Sequence, residues 1–63
     1  MNKRDVKILL VDDEPDILEI VGYNLKNEGY LVYTASNGLE ALKSAKKITP
    51  NLILLDIMMP EMD

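Results

Sequence analysis

Apolar residues form short continuous runs near both ends of the chain. Residues 6–11 (VKILLV) and 51–56 (NLILLD) are almost entirely apolar, and each run is too short for a helix. Such runs are typical of strands that are buried on both faces of a parallel sheet. Between them, residues 30–35 (YLVYTA) are rich in β-forming side chains. The pattern therefore predicts three strands.

Two segments between these runs have apolar residues at helical spacing. The first begins at Pro15, which suits the first turn of a helix, and ends at Gly29, which suits a C-terminal cap. The second begins at Asn37, followed three residues later by Glu40 as in a capping box, and ends before Pro50. The predicted apolar stripes are Ile17, Leu18, Ile20, Val21 and Leu25 in the first helix, and Ala41, Leu42, Ala45 and Ile48 in the second.

The resulting order βαβαβ predicts one α/β domain over residues 1–63. Right-handed crossovers give a parallel sheet of strand order 2-1-3, with the two helices on opposite faces. The carboxyl ends of strands one and three then meet where the strand order reverses, which is where open α/β sheets bind ligands. Asp12, Asp13 and Asp56 follow those strands, so we expect them to converge. Carboxylates are ligands that Mg²⁺ prefers, so the sequence predicts a divalent cation site.

Composition excludes several classes of protein. The chain has 63 residues, no cysteine and no histidine, so a disulfide framework, a thiolate metal site and the usual zinc site are all excluded. A net charge of −4 argues against a nucleic-acid surface on this segment. No apolar run approaches the roughly 20 residues of a membrane span, and the first residues do not resemble a secretory signal. We therefore expect a cytoplasmic protein without membrane contact.

The acidic residues after strand one are also compatible with simpler roles. Asp12, Asp13 and Glu14 could complement the dipole of the first helix, but this does not account for Asp56 directly after four apolar strand residues. The spacing of Asp12, Glu14 and Asp16 suggests a calcium loop, but the glycine and the distal glutamate of that motif are missing. No G-x-G-x-x-G follows strand one, which argues against a dinucleotide site.

Three motifs resemble the receiver domain of bacterial two-component response regulators. They are VDDEP after strand one, NGLEAL at the start of the second helix, and LLDIMMPEMD around the end of strand three. The resemblance implies the amino-terminal half of a flavodoxin-like receiver fold, truncated after β1-α1-β2-α2-β3. It also implies a signalling domain in a phosphorelay rather than an enzyme in the usual sense, with control of transcription through a separate DNA-binding domain.

The resemblance also implies roles for individual residues. Asp56 would accept a phosphoryl group from the phosphohistidine of a sensor histidine kinase. Asp13 would bind Mg²⁺, or Mn²⁺, directly, Asp12 would bind it through water, and the backbone carbonyl of Met58 would supply a further ligand. The metal would orient the weakly nucleophilic carboxylate and screen the phosphoryl oxygens.

A receiver continues through two more strands and three more helices, which include the lysine and the hydroxyl residue that contact the phosphoryl group. Without them, we expect phosphotransfer by these 63 residues to be impaired. The alternative is a structural or self-associating βαβαβ module that does not accept phosphate. In either case the edge of strand three, apolar from Leu52 to Leu55, is predicted to pair with a second copy.

Overall fold

The computed structural model describes residues 2–55. A short 3-10 helix, Lys3–Asp5, leads into β1 (Lys7–Val11), α1 (Pro15–Asn27) and β2 (Leu31–Ala35). The chain continues through α2 (Gly38–Ile48) to β3 (Leu52–Leu55). The order of strands and helices is the predicted one. The sequence pattern gave no sign of the 3-10 helix.

The three strands form one parallel sheet of order β2-β1-β3, as predicted. Leu9 of β1 lies opposite both Tyr33 of β2 and Ile53 of β3, and Val11 lies opposite Ala35 and Leu55. Because β1 is the central strand, its side chains from Ile8 to Val11 are all buried. The registers bring the carboxyl ends of all three strands to the same edge of the sheet.

The helices cover opposite faces of the sheet. Leu9, Val11 and Ala35 pack against a stripe on α2 that consists of Ala41, Ala45 and Ile48. On the other face, a Cβ atom added at Gly22 of α1 would lie 3.9 Å from Cγ1 of Val32, which is ordinary van der Waals contact. Since side chains alternate along a strand, the core splits into an α2 side and an α1 side.

All three strands begin one residue later than the pattern predicts, and hydrogen bonds explain why. The Val6 N–H donates to Lys3 in the 3-10 turn. The Tyr30 N–H donates to Leu25, and the Gly29 N–H to Lys26, in a Schellman motif for which Gly29 has a φ of 103°. Before β3, the Lys7 N–H donates to the side-chain oxygen of Asn51 and not to a backbone carbonyl.

The predicted final residue of strand three, Asp56, lies outside the described residues.

The start of α2 is capped as the sequence predicts, with one difference. The Asn37 side chain accepts a hydrogen bond of 2.8 Å from the Glu40 N–H. The Glu40 carboxylate, however, accepts from the N–H and the hydroxyl of Ser36 and not from the N–H of Asn37. These bonds fix the loop between β2 and α2 at the carboxyl end of the sheet.

Candidate functional site

The site predicted from the sequence begins at Asp12, directly after β1. Its N–H donates to the Ala35 carbonyl at 3.1 Å, which extends the β1–β2 ladder by one residue. Its carboxylate oxygen Oδ1 accepts from the Glu14 N–H at 2.9 Å. The residue is only 5% exposed, and it is the one charged residue that is buried among those the structure describes. Backbone contacts thus hold Asp12 at the carboxyl edge of the sheet.

Burying a carboxylate is unfavourable unless hydrogen bonds or a cation compensate for the lost water. Asp12 has one such hydrogen bond, and its second carboxylate oxygen has no protein partner within residues 2–55. Asp13 and Glu14 are exposed beside it. In the described part of the chain, the one ion pair joins Lys3 to Glu28 at 3.2 Å, so it neutralises none of these acids.

The start of α1 places further negative charge beside Asp12. Pro15 occupies the first helical turn, where its missing N–H costs nothing, and Asp16 lies in the same turn. Glu14 is the N-cap residue, but its side chain makes no capping hydrogen bond. The acids therefore lie at the positive end of the helix dipole, which favours anionic side chains there.

An open cleft of about 460 Å³ adjoins this acidic edge. It lies between α1 and β3, and Asp12 and Glu14 line it together with apolar side chains. The apolar lining includes Leu10, Ile17, Val21 and Leu54. One end of the cleft is thus acidic, while its walls are apolar.

Two of the four predicted site residues, Asp12 and Asp13, lie within the described residues, and they are adjacent at the predicted edge. Asp56 and Met58 lie outside the described residues. Sequence reasoning missed the contribution of Glu14, whose backbone N–H holds the Asp12 carboxylate. The order Asp-x-Glu-Pro could have predicted this hydrogen bond, because an aspartate side chain often accepts from the backbone N–H two residues later.

Comparison with known families settles the family of this chain. The model of the response regulator receiver domain matches residues 8–63. The chain belongs to the response regulator receiver domain family. This confirms the family inferred from the three motifs.

Individual relatives agree with this assignment. The chain is 54% identical over its full length to the alkaline phosphatase synthesis transcriptional regulatory protein PhoP of Bacillus subtilis (strain 168), and covers 25% of that protein. It is 49% identical, again over its full length, to the probable transcriptional regulator ycf27 of Pyropia yezoensis, and covers 26% of it. The chain thus spans about a quarter of the length of these relatives.

A solved structure confirms the fold. The chemotaxis response regulator CheY4 of Vibrio cholerae superposes with a TM-score of 0.82 and 42% sequence identity. The match covers 87% of this chain and 46% of that one. Residues 2–55 thus have a flavodoxin-like arrangement, with three parallel strands in the order 2-1-3 and two α-helices. No helix within residues 2–55 has the length and apolar character required to cross a membrane.

Proposed function

We propose that this receiver segment carries the phosphoacceptor and metal-binding residues of a phosphorelay protein. In this proposal Asp56 accepts a phosphoryl group from the phosphohistidine of a sensor histidine kinase. A carboxylate oxygen of Asp56 forms a bond to phosphorus, the bond between phosphorus and the histidine nitrogen breaks, and the histidine takes up a proton. The product is an aspartyl phosphate.

The register of the sheet is the observation that carries this proposal. Leu55 lies opposite Val11 in the β1–β3 pair. Asp56 is the next residue after Leu55, and the buried Asp12 is the next residue after Val11. In this proposal Asp56 would therefore lie beside Asp12 at the carboxyl edge of the sheet, where α/β folds bind ligands; the register of Leu55 with Val11 supports this.

The donor set fits Mg²⁺ or Mn²⁺. Asp12 and Asp13 offer carboxylate oxygens at an edge where no cationic side chain of the described residues forms an ion pair with them. The metal would be held by Asp12, Asp13, Asp56 and the carbonyl of Met58. When bound, it would screen charge between the carboxylates and the phosphoryl oxygens. Glu14 contributes by fixing one Asp12 oxygen, which leaves the other for the metal or its water.

The effect of phosphorylation would be exerted outside this segment. The names of PhoP and ycf27 describe transcriptional regulators, and the chain covers about a quarter of each. We therefore infer a protein that controls transcription, with DNA bound by a region beyond these residues. The net charge of −4 agrees with a segment that does not itself bind DNA.

Metal binding can be tested by thermal unfolding. Millimolar Mg²⁺ should raise the melting temperature, because a ligand that binds only the folded state stabilises it. Asp13→Asn should abolish the increase, whereas Asp5→Asn, a change at a distant acid in the 3-10 helix, should preserve it. An equal increase in both variants would contradict the metal assignment.

Phosphotransfer can be tested by intact mass after incubation with acetyl phosphate and Mg²⁺. We expect weak labelling of the 63-residue chain, because the family's lysine and hydroxyl contacts to the phosphoryl group are not among these residues. The same residues exchanged into PhoP of Bacillus subtilis should be labelled fully, and Asp56→Asn should remove the label in both proteins. Absence of label in the exchanged protein would favour the second candidate, a βαβαβ module that has lost phosphotransfer.

A further inference from the structure

Asn37 and Gly38 form the one asparagine–glycine pair in the sequence. The other asparagines, at positions 2, 24, 27 and 51, are followed by larger residues. Because glycine has no Cβ atom, its nitrogen can approach the side chain of a preceding asparagine with little hindrance. Gly38 is also the first residue of α2, where its N–H has no acceptor within the helix. The pair therefore has the composition that favours intramolecular deamidation.

We propose that Asn37 is a site of spontaneous deamidation and that the N-terminal cap of α2 controls its rate. The Gly38 nitrogen loses its proton and forms a bond to Cγ of Asn37. The bond between Cγ and Nδ2 breaks, and Nδ2 takes up a proton and leaves as ammonia. Water then opens the resulting succinimide ring, at the side-chain carbonyl to give aspartate or at the main-chain carbonyl to give isoaspartate. This inference is independent of metal binding and of phosphotransfer.

Two hydrogen bonds hold Asn37 in a geometry that opposes ring closure. Its side-chain oxygen accepts from the Glu40 N–H at 2.8 Å, and its main-chain carbonyl accepts from the Ala41 N–H at 2.9 Å. The five-membered ring requires the Gly38 nitrogen to eclipse Cβ of Asn37, whereas at the observed ψ of 174° the two atoms are staggered. Rotation of ψ would turn the carbonyl away from Ala41. The reaction therefore requires the first turn of α2 to open.

The Glu40 side chain adds a further restraint. Its carboxylate accepts from the N–H and from the hydroxyl of Ser36, at 3.1 and 3.2 Å. Glu40 thus bonds to Asn37 through its backbone and to the residue before Asn37 through its side chain. All of these bonds join residues at most four positions apart, so they depend only on the loop after β2 and on the first turn of α2.

The two products differ in their effect on α2. Aspartate at position 37 keeps an oxygen that can accept from the Glu40 N–H, and aspartate is as good an N-cap residue as asparagine. In isoaspartate the main chain runs through Cγ, so the capping oxygen is lost and the backbone is one atom longer. The first turn of α2 then loses its anchor at Ala41, which packs against the core.

The modification would also change the carboxyl edge of the sheet. Asn37 lies two residues after Ala35, whose carbonyl accepts from the Asp12 N–H at 3.1 Å. A loosened α2 therefore disturbs the contact that holds Asp12 in place. Both products also add a negative charge at the edge where Asp12, Asp13 and Glu14 lie.

Peptide mapping of the chain during incubation at mildly alkaline pH tests the proposal. Trypsin releases residues 27–43, which contain Asn37 and, as an internal control, Asn27 before a glutamate. Conversion should occur at Asn37 and not at Asn27. It should be on the order of tenfold slower than in a synthetic peptide of residues 33–42, which is too short to hold a helical cap. Equal rates in the chain and the peptide, or a chain that stays unconverted, would overturn the proposal.

Two variants should change the rate in opposite directions. Gly38→Ala adds a Cβ that meets no atom of the described residues within 4 Å, so the fold is kept. Because this Cβ hinders the attacking nitrogen, conversion at Asn37 should largely disappear in the chain and in the peptide alike. Glu40→Ala removes the bonds to Ser36 and should raise the rate in the chain roughly threefold. Glu40→Gln keeps an acceptor oxygen and is the matched control, so equal rates in the two Glu40 variants would contradict control by this restraint.

The melting temperatures of the two products test the role of the cap. Asn37→Asp reproduces the aspartate product and should melt close to the unchanged chain. The isoaspartate form, separated by chromatography, should melt about 4–8 °C lower, because loss of an N-cap bond shifts the melting temperature of a small domain by this amount. Equal melting temperatures of the two products would contradict the proposed dependence of α2 on the Asn37 cap.

Discussion

β1 and β3 have almost the same sequence but opposite environments. β1 reads KILLV and β3 reads LILL, and the two strands are hydrogen-bonded neighbours. Yet Leu9 is 0% exposed in β1, whereas its register partner Ile53 is 48% exposed in β3. An apolar run thus indicates that a strand is suited to burial on both faces. Whether it is buried depends on what lies beside it, and β1 is buried because β2, β3 and both helices surround it.

The largest expected effect separates these two strands directly. Leu9→Ala should destabilise the fold by about 2–5 kcal/mol, because it leaves a cavity in the enclosed layer of the core between the sheet and α2. This loss is a large part of the total free energy of unfolding, which is roughly 3–9 kcal/mol for a chain of this size. Ile53→Ala should cost about 1–2 kcal/mol, because half of the side chain is already in water. Urea unfolding of both variants measures this difference.

Complete loss of the folded signal in Leu9→Ala still counts as the larger effect. Equal costs for Leu9→Ala and Ile53→Ala would mean that the exposure of Ile53 does not describe its environment in solution.

The fold could be predicted from the sequence because its main determinants are periodic. The continuous apolar runs identified β1 and β3, and the handedness of crossovers then gave the strand order. The first residues of the strands could not be predicted in this way. They depend on whether single N–H groups, such as those of Val6 and Tyr30, bond within the preceding turn. Such bonds follow from local backbone geometry, which hydrophobic patterning does not encode.

The candidate site could also be predicted only in part: the sequence indicated the position of its first residue but not that residue's contacts. The position of Asp12 at the sheet edge follows from its place after an apolar strand, and the structure places it there. Its burial and the hydrogen bond from the Glu14 N–H do not follow from the pattern, because both depend on how the chain turns between β1 and α1. The roles of Asp56 and Met58 remain predictions from the family resemblance.

A second, smaller effect concerns the attachment of β3 to β1. The Lys7 N–H donates to the Asn51 side chain, and the Asn51 N–H donates to the Lys7 carbonyl, both at 2.8 Å. Asn51→Ala should lower the free energy of unfolding by about 1 kcal/mol, since it removes the first of these bonds. Asn51→Asp retains the acceptor oxygen and should cost less. The urea midpoints of the two variants measure these costs. Equal losses of unfolding free energy in Asn51→Ala and Asn51→Asp would show that the side-chain hydrogen bond contributes nothing to stability.

The smallest expected effect concerns the turns that lead into the two strands. β1 follows Val6, whose φ of −92° suits any residue, whereas the turn before β3 contains Thr49 with a φ of 43°. A β-branched residue is strained in this left-handed region, and asparagine is much less so. Thr49→Asn should therefore stabilise the fold by about 0.5 kcal/mol.

Thr49→Val is the control variant. It keeps the branched side chain but loses the hydrogen bond from the Thr49 hydroxyl to the Ile48 carbonyl, so it should not stabilise the fold. Thermal unfolding of both variants measures the difference. If Thr49→Asn proved no more stable than Thr49→Val, strain at the entrance to β3 would not distinguish that strand from β1.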